Sequence, residues 1–335
     1  MSRGYRHRLH LVAEALVAVG RGVSYNRAAQ RARVAAGREP LVGSGSGQMV
    51  AEWVDAWAPA ILASHAETEQ PETLVLDSTD FWWTNARTRT RRREFAILVA
   101  YGYTGPGTGR IWGIHASPTA QAHDWVRFLT GMNLPGPPTT VVADNDLAIE
   151  AAVPRMWLPA PGPSLPQPFL FACEHHLRER ARAALETDNA HAGGGRWMRR
   201  LDTAFRRDEA WDEFYHATRV LGASAGWASD NDAQLRLQTA VRHLLPAHRS
   251  TAGAEAAAHR LRNLFEQRSF SLRNANRTNL LLGLTRLHLN NRDDVNAYHR
   301  ILRQAAEAAQ GRPRQQQRVN RDARDANGHP QPSLR

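Results

Sequence analysis

The stretch Thr139–Arg182, TTVVADNDLAIEAAVPRMWLPAPGPSLPQPFLFACEHHLRERAR, decides how this chain reads. Its apolar run TVVA is short, bounded by polar residues and closed by a carboxylate, Asp144, which predicts a buried strand with an acid at its tip. Asp146 stands where the next helix takes its N-cap, and that helix is expected to finish before Pro154. A proline-rich crossover then leads to a second apolar run, FLFAC, and to a basic helix opened by Cys173, His175 and His176.

Upstream of this stretch the apolar period is two rather than 3.6. TLVLDSTDFWW, from Thr73, alternates and is bounded by polar loops, so it reads as a strand. The charged connection TNARTRTRRRE leads to FAILVAYGYTG, and GRIWGIHASP follows. Three strands joined by short turns predict an antiparallel meander. A helix, TAQAHDWVRFLTGM, precedes the TVVA strand. The predicted class is therefore α/β in the order βββαβα, the order of the ribonuclease-H-like core, in which the first and fourth strands are neighbours.

Adjacency of those strands would set Asp77 beside Asp144. Paired carboxylates are hard oxygen ligands suited to two Mg²⁺ (or Mn²⁺) ions, which serve in-line displacement at phosphorus. Asp80, three residues from Asp77, points to the opposite face of an alternating strand, and Asp146 lies past the strand end.

The 335 residues suffice for two or three domains, and 42% hydrophobic content is that of a globular chain. All 43 basic positions are arginine, and the net charge is +11. A GC-rich genome explains arginine in place of lysine but not the excess of bases over acids, which suits a nucleic-acid partner. With no lysine, a G-x-x-x-x-G-K-[ST] phosphate loop is excluded. The single cysteine excludes an intramolecular disulfide framework. No run approaches a membrane span and MSRGYRHRLH lacks an apolar signal core, so a cytoplasmic chain without a membrane partner is expected.

Near the start, Leu9, Val12, Leu16 and Val19 recur at helical spacing. After the turn GRGVS, with Arg21 beside Gly22, Ser24 is placed to cap YNRAAQRARVAAG. Alanines on one side and Arg27, Arg31 and Arg33 on the other suit the second helix of a helix-turn-helix on DNA. A flexible connector, REPLVGSGSG, leads to QMVAEWVDAWAPAIL, an amphipathic helix whose Trp53 and Trp57 read as core.

With these residues in view, the chain resembles the DDE transposases of bacterial insertion sequences, in particular the Mutator-like superfamily, over residues 48–302. In that family the second aspartate closes a V-V-S-D-G-type strand, and a helix, a strand and C-x-x-H follow. Here those positions read VVADND and FACEHH, with Asn145 in place of the glycine, and the first aspartate matches LVLDST. The resemblance implies a helical insertion between the second aspartate and a catalytic glutamate that opens a later core helix. That insertion would be 183–248, where Trp197, Leu201 and Phe205 form one stripe and Trp211, Phe214 and Tyr215 begin another; all six read as insertion core. In TAGAEAAAHRLRNLFEQRSF the implied T-x-x-x-E is Thr251 with Glu255, followed by Arg260 and Arg262 as DNA contacts; Glu266 is the rival.

The resemblance thus implies catalysis by Asp77, Asp144 and Glu255 through two Mg²⁺, with His176 near the scissile phosphate. It implies a homodimer that pairs two element ends. The expected segments are 1–36 (helix-turn-helix-like), 37–72 (linker and helix), 73–182 (core), 183–248 (insertion), 249–305 (core and C-terminal helices) and 306–335 (basic disordered tail). Two alternatives stay open. One is a domesticated DNA-binding protein that has lost catalysis, and the other a nuclease that only hydrolyses. Cys173, His175 and His176 also raise zinc, with His115 and His123 as distant partners, although a second close ligand pair is missing.

Overall fold

A computed structural model describes residues 3–37, 46–84, 88–107, 109–157, 167–190, 195–265 and 274–309. Most of the connector at 38–47, the middle of the proline-rich crossover, the glycine turn at 191–194, Glu266 and the tail beyond 309 lie outside the described residues. The chain divides into two compact units. One joins the described residues up to Ala66 with those from Gly283 onward, and the other is Glu67–Leu282. The N-terminal helices therefore share a unit with the C-terminal ones, which lie more than 200 residues away in sequence. Among the described residues no helix is long and apolar enough to cross a membrane.

In the first unit, α1 (Arg3–Gly20), α2 (Tyr25–Ala35) and α3 (Ser46–Ser64) pack with the end of α11 (Ala275–Leu289) and with α12 (295–309). Leu9, Val12, Leu16 and Val19 are buried, as their spacing requires. The Ser24 hydroxyl accepts the Arg27 amide at 3.4 Å, the expected cap of α2. Ala28, Ala29 and Ala32 are buried, while Arg27 and Arg31 are exposed. Trp53 and Trp57 are half-buried.

The second unit is a mixed α/β assembly around a five-stranded sheet in the order β3-β2-β1-β4-β5. Its strands are β1 (Thr73–Thr84), β2 (Arg91–Tyr103), β3 (Gly109–Ser117), β4 (Thr140–Ala143) and β5 (Phe169–Ala172). β1–β2 and β2–β3 are the antiparallel meander that the sequence predicts, and β4 lies parallel to both β1 and β5. The chain connects β3 to β4 through α4 (Ala122–Gly131), and β4 to β5 through α5 (Leu147–Met156). α5 runs two residues past Pro154 instead of finishing before it. Proline costs a helix its interior hydrogen bonds, and here it stands in the last turn, where the helix ends almost at once.

Strand parity divides the sheet's faces. Leu74, Leu76, Ala96, Leu98 and Ala100 pack on Trp125, Phe128 and Leu129 of α4 and on Ile149, Ala152 and Val153 of α5. Val75 and Asp77 belong to the other face. α10 (Ala252–Phe265) packs against β1, β2 and β3, burying Ala254, Ala257, Ala258 and Leu261. Gly253 lets its first turn close in, since a Cβ there would stand 2.8 Å from the Tyr101 ring.

The segment between β5 and α10 supplies α6 (Glu174–Thr187), α7 (Arg196–Ala204), α8 (Asp208–Thr218) and α9 (Ala223–Val241). Leu201, Phe205, Trp211 and Phe214 are buried in one cluster, with Trp197 and Tyr215 partly buried against it, so these aromatics are core. Asp188, just past α6, caps α9 by accepting from the amides of Gly222, Ala223 and Ser224 at 3.2, 2.9 and 2.7 Å. The Ser224 side chain first, and then these amides, hold the Asp188 carboxyl below its usual range.

α9 also closes the open edge of β5. Gln238 accepts the Ala172 amide at 2.9 Å and donates to the Ala172 carbonyl at 3.3 Å, and Gln234 donates to the Leu170 carbonyl at 3.2 Å. A side-chain amide thus takes the place of a sixth strand. Gln238→Leu strands two buried backbone groups and is expected to lower the unfolding free energy by roughly 2–4 kcal/mol. Urea denaturation should show the midpoint falling with an unchanged m-value; an unmoved midpoint would mean that the edge does not need the glutamine.

Candidate active site

The register brings the two sequence-predicted aspartates together. In the parallel β1–β4 pair Val75 stands opposite Val142. Asp77 and Asp144 each follow two residues later, at the same height and on the same face. The Asp77 carboxylate accepts the Ser78 amide at 2.8 Å. The Asp144 carbonyl accepts from Arg180 of α6 at 2.8 Å, which fixes the strand end from outside the sheet. Asn145 adopts φ 61, the left-handed conformation. Glycine reaches it freely and asparagine tolerates it better than most side chains, so the replacement noted in the sequence keeps the turn.

Asp146 caps α5 by accepting the Ala148 amide at 2.8 Å, and Asp80 pairs with Arg93 at 2.8 Å. Neither rival aspartate is free in the way Asp144 is, whose carboxylate makes no hydrogen bond among the described residues.

Glu255, in the first turn of α10, joins the same region electrostatically. The Asp77 carboxyl is pushed up to about 7, first by burial and then by the charge of Asp144; the Ser78 amide offsets part of this, and Glu255 and Asp146 add smaller upward contributions. The charges that act most on Asp77 are all negative. The fold therefore gathers acids around Asp77.

Folded Asp77 holds its proton more tightly than an unfolded aspartate of pKa about 3.9. Its contribution to stability is full below pH ~4 and is lost as pH rises through 7, a change on the order of 3–5 kcal/mol. Urea titrations from pH 4 to 8 without divalent metal should show the wild type losing stability relative to Asp77→Asn across that window. Parallel curves would mean that Asp77 is not crowded.

The Cys-x-x-His and Thr-x-x-x-Glu motifs meet at a buried hydroxyl. The Cys173 amide donates to the Ala143 carbonyl at 2.7 Å, which sets α6 against the end of β4. Thr251, wholly buried, donates its amide to Cys173 Sγ at 3.3 Å. Its hydroxyl lies 3.2 Å from Cys173 Sγ and 3.3 Å from His176 Nδ1, and donates to Glu255 Oε1. A hydroxyl donates once and accepts twice, so donation to Glu255 assigns the hydrogens at this junction to His176 Nδ1 and Cys173 Sγ. His176 Nε2 then faces Glu255 Oε1 at 3.7 Å. The connection from α9 to α10 is pinned nearby: Arg242 bonds Glu174, and the Arg249 carbonyl accepts the Glu174 amide at 3.1 Å.

Among the described residues no three His, Cys, Asp or Glu side chains gather at metal-ligand spacing. The donor chemistry nevertheless suits a hard divalent cation: Asp77 and Asp144 are oxygen donors whose mutual repulsion a cation would relieve. Glu255 is turned toward Thr251 and His176. A zinc site has less to work with. Cys173 is engaged by Thr251, and His115 of β3 lies at the opposite edge of the sheet, four strand spacings or roughly 19 Å from β5. His115 stacks on Phe128 at 6.0 Å, and His123 is exposed beside Asp124.

The sequence-predicted DNA contacts divide. Arg262 donates to Thr79 Oγ1 of β1, and Arg260 is exposed on the same helix. Arg27 and Arg31 are exposed on α2 and Arg33 is partly buried. Arg21 is committed to Asp293 at 2.6 Å, and Gly22 in that turn takes φ 91. Two features carry no sequence signal. One is Arg180 behind Asp144. The other is a cavity of about 600 Å³ beyond the strand tips, lined by Asn145, Glu150, Arg180, Trp227 and Asn231 among others.

No protein-family model matches this chain, and no curated protein matches it.

Proposed function

We propose that this chain is a DNA transposase of the DDE class, with a ribonuclease-H-like catalytic core of the Mutator-like type interrupted by a helical insertion. The observation that carries this reading is the β1–β4 register that puts Asp77 of β1 beside Asp144 at the tip of β4, with Glu255 on the helix that packs across β1. The junction of Cys173, His176, Thr251 and Glu255 adds a reason for the two motifs to occur together.

In this reading Asp77 and Asp144 hold Mg²⁺ (or Mn²⁺), with Glu255 completing the set once it leaves Thr251. Bound there, the metal supplies Lewis acidity to the phosphoryl group. Arg180 keeps the Asp144 backbone in place. His176, oriented through Nδ1, presents Nε2 toward the acids, where it can hold a proton near a scissile phosphate. Arg260, Arg262 and the exposed arginines of α2 supply backbone contacts, and a homodimer would pair two DNA ends.

A second reading, a DNA-binding protein that keeps the core without cutting, draws support from the engagement of Glu255 by Thr251 and His176. Purified protein, Mg²⁺ and a linear duplex carrying the sequences that flank the gene separate the readings. Cleaved and joined products support the transposase, cleaved products alone a hydrolase, and binding without products the second reading.

A further inference from the structure

Away from the carboxylates, the insertion presents a cavity of about 400 Å³ walled by Arg196, Arg199, Arg200 and Arg207 and floored by Phe214. α7 explains the placement. Trp197, Leu201, Ala204 and Phe205 pack inward, so positions 196, 199, 200 and 203 fall on the other side, about one 5.4 Å turn apart. Arg200 lies over the Trp197 ring at 5.6 Å, which steadies its guanidinium. Asp202, the carboxylate carried by α7, turns to Arg178 at 2.8 Å instead. Among the described residues no carboxylate forms an ion pair with Arg196, Arg200 or Arg207. Glu209 and Glu213 share the lining, and four guanidiniums against two carboxylates leave it cationic.

We propose that this arginine cradle binds the sugar–phosphate backbone of duplex DNA without reading its sequence. Guanidinium is permanently charged, and its planar fork matches phosphate oxygens. Charges one helical turn apart suit successive phosphates better than a single compact anion, which the two glutamates also oppose. Roughly half to two-thirds of protein–DNA hydrogen bonds go to phosphate and sugar and carry no sequence information, the kind of contact that a row of exposed guanidiniums suits. The assignment rests on the nucleic-acid substrate proposed for the carboxylate site, and it adds the insertion to the DNA-contacting surface.

The test uses the full chain and a random-sequence duplex, with affinity followed by fluorescence anisotropy against salt concentration. Each lost phosphate contact flattens the log K against log [salt] slope by about 0.9, so R196Q/R200Q/R207Q is expected to lose roughly 2–3 units of slope. It should also bind more than about tenfold more weakly at low salt. R196K/R200K/R207K keeps the charge and should keep the slope. All three positions are exposed, and an unchanged melting temperature shows that the fold is intact. A Gln variant with the wild-type slope overturns the proposal. So does displacement of the duplex by inorganic phosphate, at matched ionic strength, from the wild type but not from the Gln variant, which would mark a compact-anion site. The readout needs no cleavage. A protein that never cuts DNA yet loses the slope keeps the cradle and removes the transposase reading; a cutting protein with an unaltered slope removes only the cradle.

Discussion

Asp144→Asn is expected to lower Mg²⁺-dependent DNA cleavage on the order of 10³-fold or more while leaving the protein as stable as the wild type, or more stable. The two effects have opposite signs for one reason. The Asp144 carboxylate makes no hydrogen bond within the described fold, and the Arg180 bond goes to its carbonyl, which asparagine keeps. What the carboxylate does in the free protein is repel Asp77, whose pKa it helps to raise to about 7. Neutralising it relieves that repulsion and removes an anionic ligand from the proposed metal site. A structural aspartate would behave otherwise, losing stability and activity together. A cleavage assay beside a thermal melt therefore separates the cases, and full activity in Asp144→Asn would remove Asp144 from the chemistry.

Thr251→Val is expected to cost roughly 2–4 kcal/mol of stability and to reduce cleavage by about 10- to 100-fold, with Thr251→Ser recovering most of both. Valine has nearly the shape of threonine, so packing is kept and only the hydroxyl is lost. That hydroxyl is wholly buried and connects Cys173, His176 and Glu255. Its removal takes the Nδ1 partner from the half-buried His176, leaves the buried Cys173 thiol without its hydroxyl contact and frees Glu255 from its own helix turn. The two acids of the β1–β4 pair are untouched, so the pH-dependent loss of stability at Asp77 should persist in Thr251→Val. Wild-type melting and cleavage in the valine variant would show that the junction is incidental.

The meander and the helix-linked parallel strands were legible because they depend on local alternation and length. TLVLD carries its own parity: Leu74 and Leu76 on one face, Asp77 on the other. Once β1 and β4 are neighbours, that parity places Asp77 beside Asp144 with no further information. Asn145 was harder to read, since its identity suggests a departure while its φ keeps the turn. Arg180, Asp188 and Gln238 were not legible at all. Each acts on a backbone group of an element distant in sequence, a strand end, a helix N-terminus or a sheet edge, and nothing in an Arg, Asp or Gln alone says which carbonyl or amide it will meet. The pairing of N-terminal with C-terminal helices is hidden for the same reason, because helical periodicity shows that a face is buried and not against what.

The central claim is that Asp77 and Asp144 hold a divalent cation between neighbouring strands, with Glu255 within reach. Anomalous diffraction from crystals soaked in Mn²⁺ tests it most directly. The expected result is anomalous density in contact with the carboxylates of both Asp77 and Asp144, with Glu255 turned away from Thr251 toward it, and no such density in Asp144→Asn. Density confined to other parts of the molecule, or none while Asp77 and Asp144 remain in their present places, would contradict it.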